Sequence, residues 1–285
     1  MTKAFAIVFL LLATLILACH NKAVWTQIDD GLFYGDFNIA SPIPFNDVTI
    51  TIFKIDPTVY EFRLLTTSQF GHDLLTMPEW VERYNLIGAI NAGMYQEDMS
   101  TNVGFLKNFD HYNNRHVNSS HHSLAAFHPK DSTAAPFYIF DIDEYPADSV
   151  LADYHSVVQN LRLIKRPGEN RWIEADKRWC EAAVGQDTGG HVLFIYCRAP
   201  LTMTEFNNAL LSLPINIVCA MHVEGGQPAS LHVSHQGVTK SYSGTAETKF
   251  DVDGVAINAA KIPNVMGFVK KTVFFHNSKD KPTDK

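Results

Sequence analysis

The residues whose types and spacing best suit chemistry lie between Val218 and Ser234, where an alternating apolar run stops at Glu224-Gly225-Gly226 and restarts after Pro228. Before the stop, Ile217, Cys219, Met221 and Val223 alternate with Val218, Ala220, His222 and Glu224. Successive side chains of a strand point to opposite faces, so a strand here sets His222 and Glu224 on one face, roughly 7 Å apart. After the stop, Leu231 and Val233 alternate with Ser230, His232 and Ser234. If the two runs pair as a hairpin, a carboxylate, two imidazoles and a hydroxyl meet around the turn, a set able to move protons and hold a polar ligand. Gly225 and Gly226 permit backbone conformations closed to other residues and let a ligand approach main-chain N–H groups. A plain glycine turn with solvated polar neighbours is the other reading of these residues.

The elements that position this stretch follow from the patterning around it. Thr202-Met-Thr-Glu205 is a capping box, and Phe206, Leu210, Leu211 and Leu213 continue a helix that Pro214 ends, directly ahead of the strand. Residues 181–187, the turn Thr188-Gly-Gly190 and residues 192–197 predict a hairpin. Upstream, residues 32–39, 48–55 and 60–66 are rich in β-branched and aromatic residues, with Asp56-Pro57 as a turn between the last two. A second capping box, Thr76-Met-Pro-Glu79, opens a short helix through Trp80, Val81 and Tyr84. That helix runs into a buried strand, 86–90, which ends in Asn91-Ala92-Gly93-Met94-Tyr95. Residues 96–123 read as a long polar loop interrupted only by Val103-Gly-Phe-Leu106, 124–127 and 137–142 as strands, and 148–163 as a helix or, in its second half, a strand. Many strands, two well-capped helices and no repeat or linker predict one mixed α+β domain on a large, mainly antiparallel sheet.

Composition bounds the setting. With 285 residues, 46% of them hydrophobic, the chain can bury a sizeable core. A net charge of −7, with no basic block beyond the short Lys/Asp tail, argues against nucleic acid as a partner. Lys3 followed by an apolar run over 4–18 has the form of a signal peptide, spanning 1–18. Its end, Ile16-Leu17-Ala18-Cys19, looks like a bacterial lipobox, so Cys19 is the expected lipidation site and the membrane a partner through that lipid. The expected product is an exported envelope lipoprotein with a folded domain over 19–276 and a disordered tail over 277–285. Cys180, Cys197 and Cys219 then remain, allowing at most one disulfide within the chain; lacking C-x-x-C spacing, they read as buried thiols. No His-Glu-x-x-His or His-x-x-x-His helix is present, and the adjacent pair His121-His122 points to opposite faces in a strand and otherwise sits in a solvated loop. No metal site or cofactor is therefore expected, with a divalent cation the single open possibility.

Several of these segments, in order, resemble the phosphodiester glycosidase family over most of the chain after about residue 48. The matching motifs are Asn91-Ala-Gly-Met-Tyr95, Val103-Gly104-Phe105-Leu106, Ala182-Ala-Val-Gly-Gln-Asp187, the helix start at Leu201 to Glu205, and Glu224-Gly-Gly-Gln-Pro-Ala-Ser230. The resemblance implies hydrolysis of a glycosidic bond to a phosphate or phosphodiester in a carbohydrate or sugar-phosphate ligand. It assigns Glu224 as acid/base or charge-stabilising carboxylate, with Glu181 or Asp187 as the second. Asn91, Gly93, Ser230 and the Gly225 and Gly226 amides would orient sugar or phosphate, and His222 would complement phosphate charge. Two positions depart from the family pattern: Glu224 stands for the usual aspartate, and Glu181 for the arginine commonly ahead of x-A-V-G. A carboxylate in place of arginine repels phosphate, which makes a non-catalytic glycan-binding envelope lipoprotein the alternative. Asn91, Glu224 and Ser230 are expected to share one pocket with Gly93, Gly225 and Gly226, and Glu181 to reach its edge.

Overall fold

A computed structural model describes residues 25–40, 48–71, 73–173, 176–244 and 259–272, so the signal peptide, Cys19 and the tail lie outside the described residues. The β-branched and aromatic runs form β1 (Thr26–Asp29), β2 (Leu32–Ile39), β3 (Val48–Ile55) and β4 (Tyr60–Thr66). Helices α1 (Thr67–Phe70) and α2 (Met77–Arg83) follow. Next come β5 (Gly88–Asn91), β6 (Leu106–Asn108), β7 (His111–Asn114), β8 (Ser123–Pro129), β9 (Phe137–Asp141) and α3 (Ala147–Asp153). Strands β10 (Tyr154–Asn160), β11 (Arg162–Lys165), β12 (Glu169–Asn170), β13 (Trp179–Asp187) and β14 (Val192–Leu201) lead to α4 (Met203–Ser212). The described elements end with β15 (Ile217–Gly225), β16 (Ser230–His235), β17 (Val238–Ser243) and β18 (Asn264–Lys270).

The mixed α+β architecture stands, and every strand pair is antiparallel. Its strands divide among three sheets, with orders β1-β2-β3-β14-β13-β15-β11-β12, β7-β6-β10-β8-β9 and β17-β16-β5-β18-β4. All three turn one face to a common core: Phe53, Val184, Phe194 and Met221 from the first, Phe127, Phe137 and Val158 from the second, Phe62, Ile90 and Phe268 from the third. The rings of Phe62, Phe137, Phe194 and Phe268 meet there, with Phe62 and Phe137 4.8 Å apart between centroids. Each outer face is backed by its own helix. Met203, Phe206 and Leu210 of α4 cover the first sheet, Val150 of α3 the second, and Met77, Trp80 and Val81 of α2 the third. Both capping boxes form: the Thr76 N–H donates to Glu79 Oε2 at 2.7 Å, and the Thr202 N–H to Glu205 Oε2 at 2.9 Å.

Two expectations are corrected, and a third reading, open between helix and strand, is resolved. The runs either side of Pro228 do not pair as a hairpin, because β15 is held on both edges by β13 and β11, and β16 by β5 and β17. The chain instead crosses from the first sheet to the third in the turn between them, where Gly226 takes φ +68°. The supposed loop 96–123 contains β6 and β7, and the ambiguous stretch 148–163 divides between α3, β10 and the start of β11.

Candidate active site

Where β13 and β15 run side by side, Ala183 pairs with His222, Ala182 with Glu224 and Glu181 with Gly225. Two residues of β13 thus span three of β15, and this bulge breaks strict alternation at Val223. Glu181 and Ala183 share a face, so the Glu181 side chain meets its diagonal neighbour: His222 Nδ1 is hydrogen-bonded to Glu181 Oε1. The other Glu181 oxygen accepts from Trp179 Nε1 at 2.8 Å. Both paired side chains are 3% exposed. Burial raises the Glu181 carboxyl above its ordinary range, against the pull of His222 and of the Trp179 N–H. Burial disfavours the His222 cation, yet the Glu181 charge and hydrogen bond, with Glu224 beyond, hold His222 above the usual imidazole range.

Glu224 is 7% exposed and is pushed by burial up to about 7, against His222 and the Gly225 N–H and with the help of the Glu181 charge. Tyr95 approaches it from the turn after β5, raised to about 12 by burial and by the Glu224 charge. His121 lies within reach of the His222 charge and is held down to about 4 by burial, then by the charge of His222 and of His122. The adjacent histidines do separate: His121 is buried and its neighbour His122 partners Asp143 at the surface.

Asn91, Ser230 and the glycines come together, as builders of the turn. The Asn91 amide donates to Pro228 O at 3.0 Å and accepts the Ser230 N–H at 2.7 Å, while Ser230 Oγ donates to Pro228 O at 2.9 Å. The Gly226 N–H donates to Cys180 O at 3.0 Å. A Cβ on Gly225 would lie 2.6 Å from Trp179 Cδ1, so the missing side chain lets the indole that holds Glu181 lie against the turn. Gly93 likewise admits Asn102, whose Oδ1 would be 2.5 Å from a Cβ there.

Asp187 stands apart. It closes the other end of β13, roughly 20 Å from Glu181 at strand spacing. There it accepts from the Gly189 and His191 amides, each at 2.9 Å, and from the His191 ring. Arg178, the cation nearest in sequence to Glu181, is committed to Glu205 of α4 at 2.7 Å. Cys180, Cys197 and Cys219 are buried. Among the described residues, no group of three or more His, Cys, Asp and Glu is arranged to hold a metal ion. Sequence reasoning passed over Trp179, Tyr95 and His121. The Trp179-Cys180-Glu181 spacing, which puts indole and carboxylate on one strand face, was the available signal for the first.

With the Gly225, Gly226 and Ser230 N–H groups spent on Glu224, Cys180 and Asn91 rather than left for a ligand, the arrangement supplies a carboxyl that changes protonation near neutrality beside a buried carboxylate–imidazole pair. That is the equipment of general acid–base or charge-stabilising chemistry. A family model described as phosphodiester glycosidase matches residues 84–269, a span that includes every one of these side chains. No curated protein sequence matches. The fold is similar to the zebrafish N-acetylglucosamine-1-phosphodiester alpha-N-acetylglucosaminidase catalytic domain, auto-inhibited by pro-peptide (TM-score 0.61, 13% identity, 88% of this chain and 87% of that one). It is also similar to a hypothetical protein from Synechocystis (TM-score 0.60, 12% identity, 89% of this chain and 65% of that one). At these identities the likeness is one of fold.

Proposed function

Because the chain belongs to the phosphodiester glycosidase family, we propose that it hydrolyses the bond between a sugar and a phosphate or phosphodiester in envelope or extracellular glycans. The observation that carries this reading is Glu224, buried, ionising at about 7 and flanked by the Glu181–His222 pair. In the reaction the bond from the anomeric carbon to the phosphate oxygen breaks, its electron pair leaving with the phosphate. Water delivers hydroxyl to the sugar, and its remaining proton passes to carboxylate or solvent. A phosphate leaves without prior protonation, so the useful form of Glu224 is the ionised one, as base toward water or as counter-charge to the sugar cation. His222 offsets phosphate charge, Trp179 fixes the Glu181 carboxylate, and Asn91 and Ser230 hold the turn. We further propose export and lipid attachment at Cys19, on the strength of the apolar run and the Ala18-Cys19 junction.

Turnover of a panel of sugar phosphodiesters tests the chemistry. Wild type is expected to release free sugar, and Glu224→Gln to lose at least about a thousandfold in kcat/KM with the fold unchanged, since only the ionisable group is removed. A Gln variant as active as wild type would overturn the assignment. The rival reading, a glycan-binding protein without turnover, draws on the low exposure of Glu181, His222 and Glu224 and on the commitment of Arg178 to Glu205; it predicts glycan binding and no released sugar in wild type. For the anchor, Cys19→Ser is expected to move the protein from the membrane to the soluble fraction, and unchanged attachment would refute lipidation there.

A further inference from the structure

Away from β13 and β15, two serine hydroxyls sit against imidazoles, and they differ in where the hydroxyl proton goes. Ser156 Oγ, 2.9 Å from His128 Nδ1, is fully buried and gives its proton to Asn108 Oδ1 at 2.7 Å. Ser68, in α1, is exposed, and its Oγ lies 2.9 Å from His111 Nε2. That separation is the reach a nucleophile needs from its base.

The partners of Ser68 direct its proton to the ring. On β7, an edge strand of the second sheet, His111 and Asn113 are two residues apart and share the face that meets α1. The Asn113 amide is fixed in its orientation: Oδ1 accepts the Asn102 N–H at 2.7 Å, while Nδ2 donates to Ser100 O at 2.9 Å and to Ser68 Oγ at 2.8 Å. Thr66 is fully buried, and its Oγ1 already accepts the Gln69 N–H at 3.2 Å. Its own proton needs an acceptor, which Ser68 Oγ supplies at 3.2 Å. Ser68 Oγ thus receives two hydrogen bonds and has His111 Nε2 left to donate to. Burial holds His111 below the usual imidazole range, so at neutral pH the ring is uncharged and Nε2 accepts. An exposed hydroxyl can be satisfied by water alone; here three side chains converge on one.

We infer that Ser68 is a second reactive centre, a nucleophile that takes an acyl group from an activated ester with His111 as its base. Ser68 Oγ bonds to the acyl carbon as the bond from that carbon to the leaving oxygen breaks, its electron pair going with the oxygen. The Oγ proton passes to His111 Nε2 and then to the leaving oxygen. Water cleaves the acyl-serine by the same route, giving a carboxylic acid and restoring the hydroxyl. The three partners of Ser68 are uncharged, which suits a neutral acyl donor and not a phosphoryl group, whose transfer calls for cations. Met99 offers the acyl chain an apolar neighbour. It precedes Ser100, whose carbonyl shares the Asn113 amide with Ser68, and it is 39% exposed at φ +55°, a conformation glycine or asparagine adopts at lower cost. No member of the Glu181, His222 and Glu224 group takes part, so the inference stands apart from the glycosidase reading.

Incubation of the full chain with p-nitrophenyl acetate at neutral pH is the test, read as nitrophenolate release and, after acid quenching and peptide mapping by mass spectrometry, as the residue that carries acetyl. Wild type is expected to release nitrophenolate at least about tenfold faster than Ser68→Ala and to carry acetyl on Ser68, the scale being the low end of what a positioned base contributes. His111→Gln keeps the hydroxyl and removes the base, and should slow the Ser68-dependent reaction by about a hundredfold. Lysines and other imidazoles also react with this ester, so the mapped position separates their background from the serine. Wild type no faster than Ser68→Ala, with acetyl confined to lysines and histidines, would overturn the inference. Acylation of Ser68 in His111→Gln at the wild-type rate would overturn it equally, since the hydroxyl would then owe nothing to the ring.

Discussion

Glu224 couples activity and stability to pH in opposite directions. Its carboxyl ionises at about 7 in the folded chain against an ordinary 4.5. A group whose folded value is raised binds more protons folded than unfolded between the two values, so stability falls as pH climbs through that window and is level above it. The raised values of Glu181 and His222 act in the same sense. The expected loss from Glu224 is about 3 kcal/mol between roughly pH 4.5 and 7, taking about 1.4 kcal/mol for each tenfold change in proton affinity. Urea melts at pH 5 and pH 8 should show wild type losing stability on this scale and Glu224→Gln losing clearly less; equal losses would contradict the buried-carboxylate account. The kcat/KM of wild type should meanwhile rise through an apparent pKa near 7, a value belonging to the Glu181, His222 and Glu224 group as a whole. The carboxylate works best where its burial costs most.

At the scale of elements, the site is a turn between two sheets held by a side chain from a third segment. Asn91, at the end of β5, fixes both Pro228 and Ser230. Asn91→Ala would leave the buried Ser230 N–H without its acceptor and Pro228 O with the Ser230 hydroxyl as its remaining donor, an expected cost of about 1–3 kcal/mol. It should also lower turnover, because the turn carries Glu224 at its base; equilibrium unfolding and steady-state kinetics on one variant check both. Asn91→Asp restores an acceptor for the Ser230 N–H and loses the donor to Pro228, and is expected to fall between. How far such elements could be read beforehand depended on whether their signals were local. Thr76 with Glu79, Thr202 with Glu205, and the β13–β14 hairpin announce themselves within ten or so residues, and all are present. That the Asn91 and Glu224 turns each end a buried strand was also legible, since each closes an apolar run with glycine. The sheet change at Pro228 was not, because it depends on which distant strands already occupy the edges of β15 and β16. Nor was the inward turn of His121, which is set by Gln159: its side chain donates to the carbonyls of Asn118 and His121. The difference between Glu181 and Asp187 had the same origin: both sit in β13, but Glu181 meets His222 across the sheet on β15, whereas Asp187 closes its own hairpin turn onto His191.

For the whole molecule, three sheets facing one core and three helices backing them leave the cysteines deep inside. Cys197 is pushed by burial up to about 12 and Cys219 up to about 11. A thiol so seldom ionised does not attack a disulfide reagent. Titration of the native protein with such a reagent at pH 8 should leave both unreacted, and unfolding should expose them together in one transition; fast reaction of either in the native state would refute the packing described here. Truncation of Phe62, which touches rings from the other two sheets, should cost about 3–5 kcal/mol and destabilise all three at once.

The position of β18 between β4 and β5 has a consequence for how the protein comes into being. Strands β4 and β5 are made early, yet neither pairs with the other; each waits for Asn264–Lys270, the last described strand of the chain. The clamp from Asn91 to Ser230 likewise spans 139 positions. Closing such long loops is slow, and nothing nearer in sequence substitutes for the late partner. A growing chain therefore holds its third sheet open until Asn264–Lys270 has been made. Under the proposed export, in which a chain crosses a membrane before it folds, that delay would keep the chain fit for transport, and the candidate site's turn would assemble only after arrival.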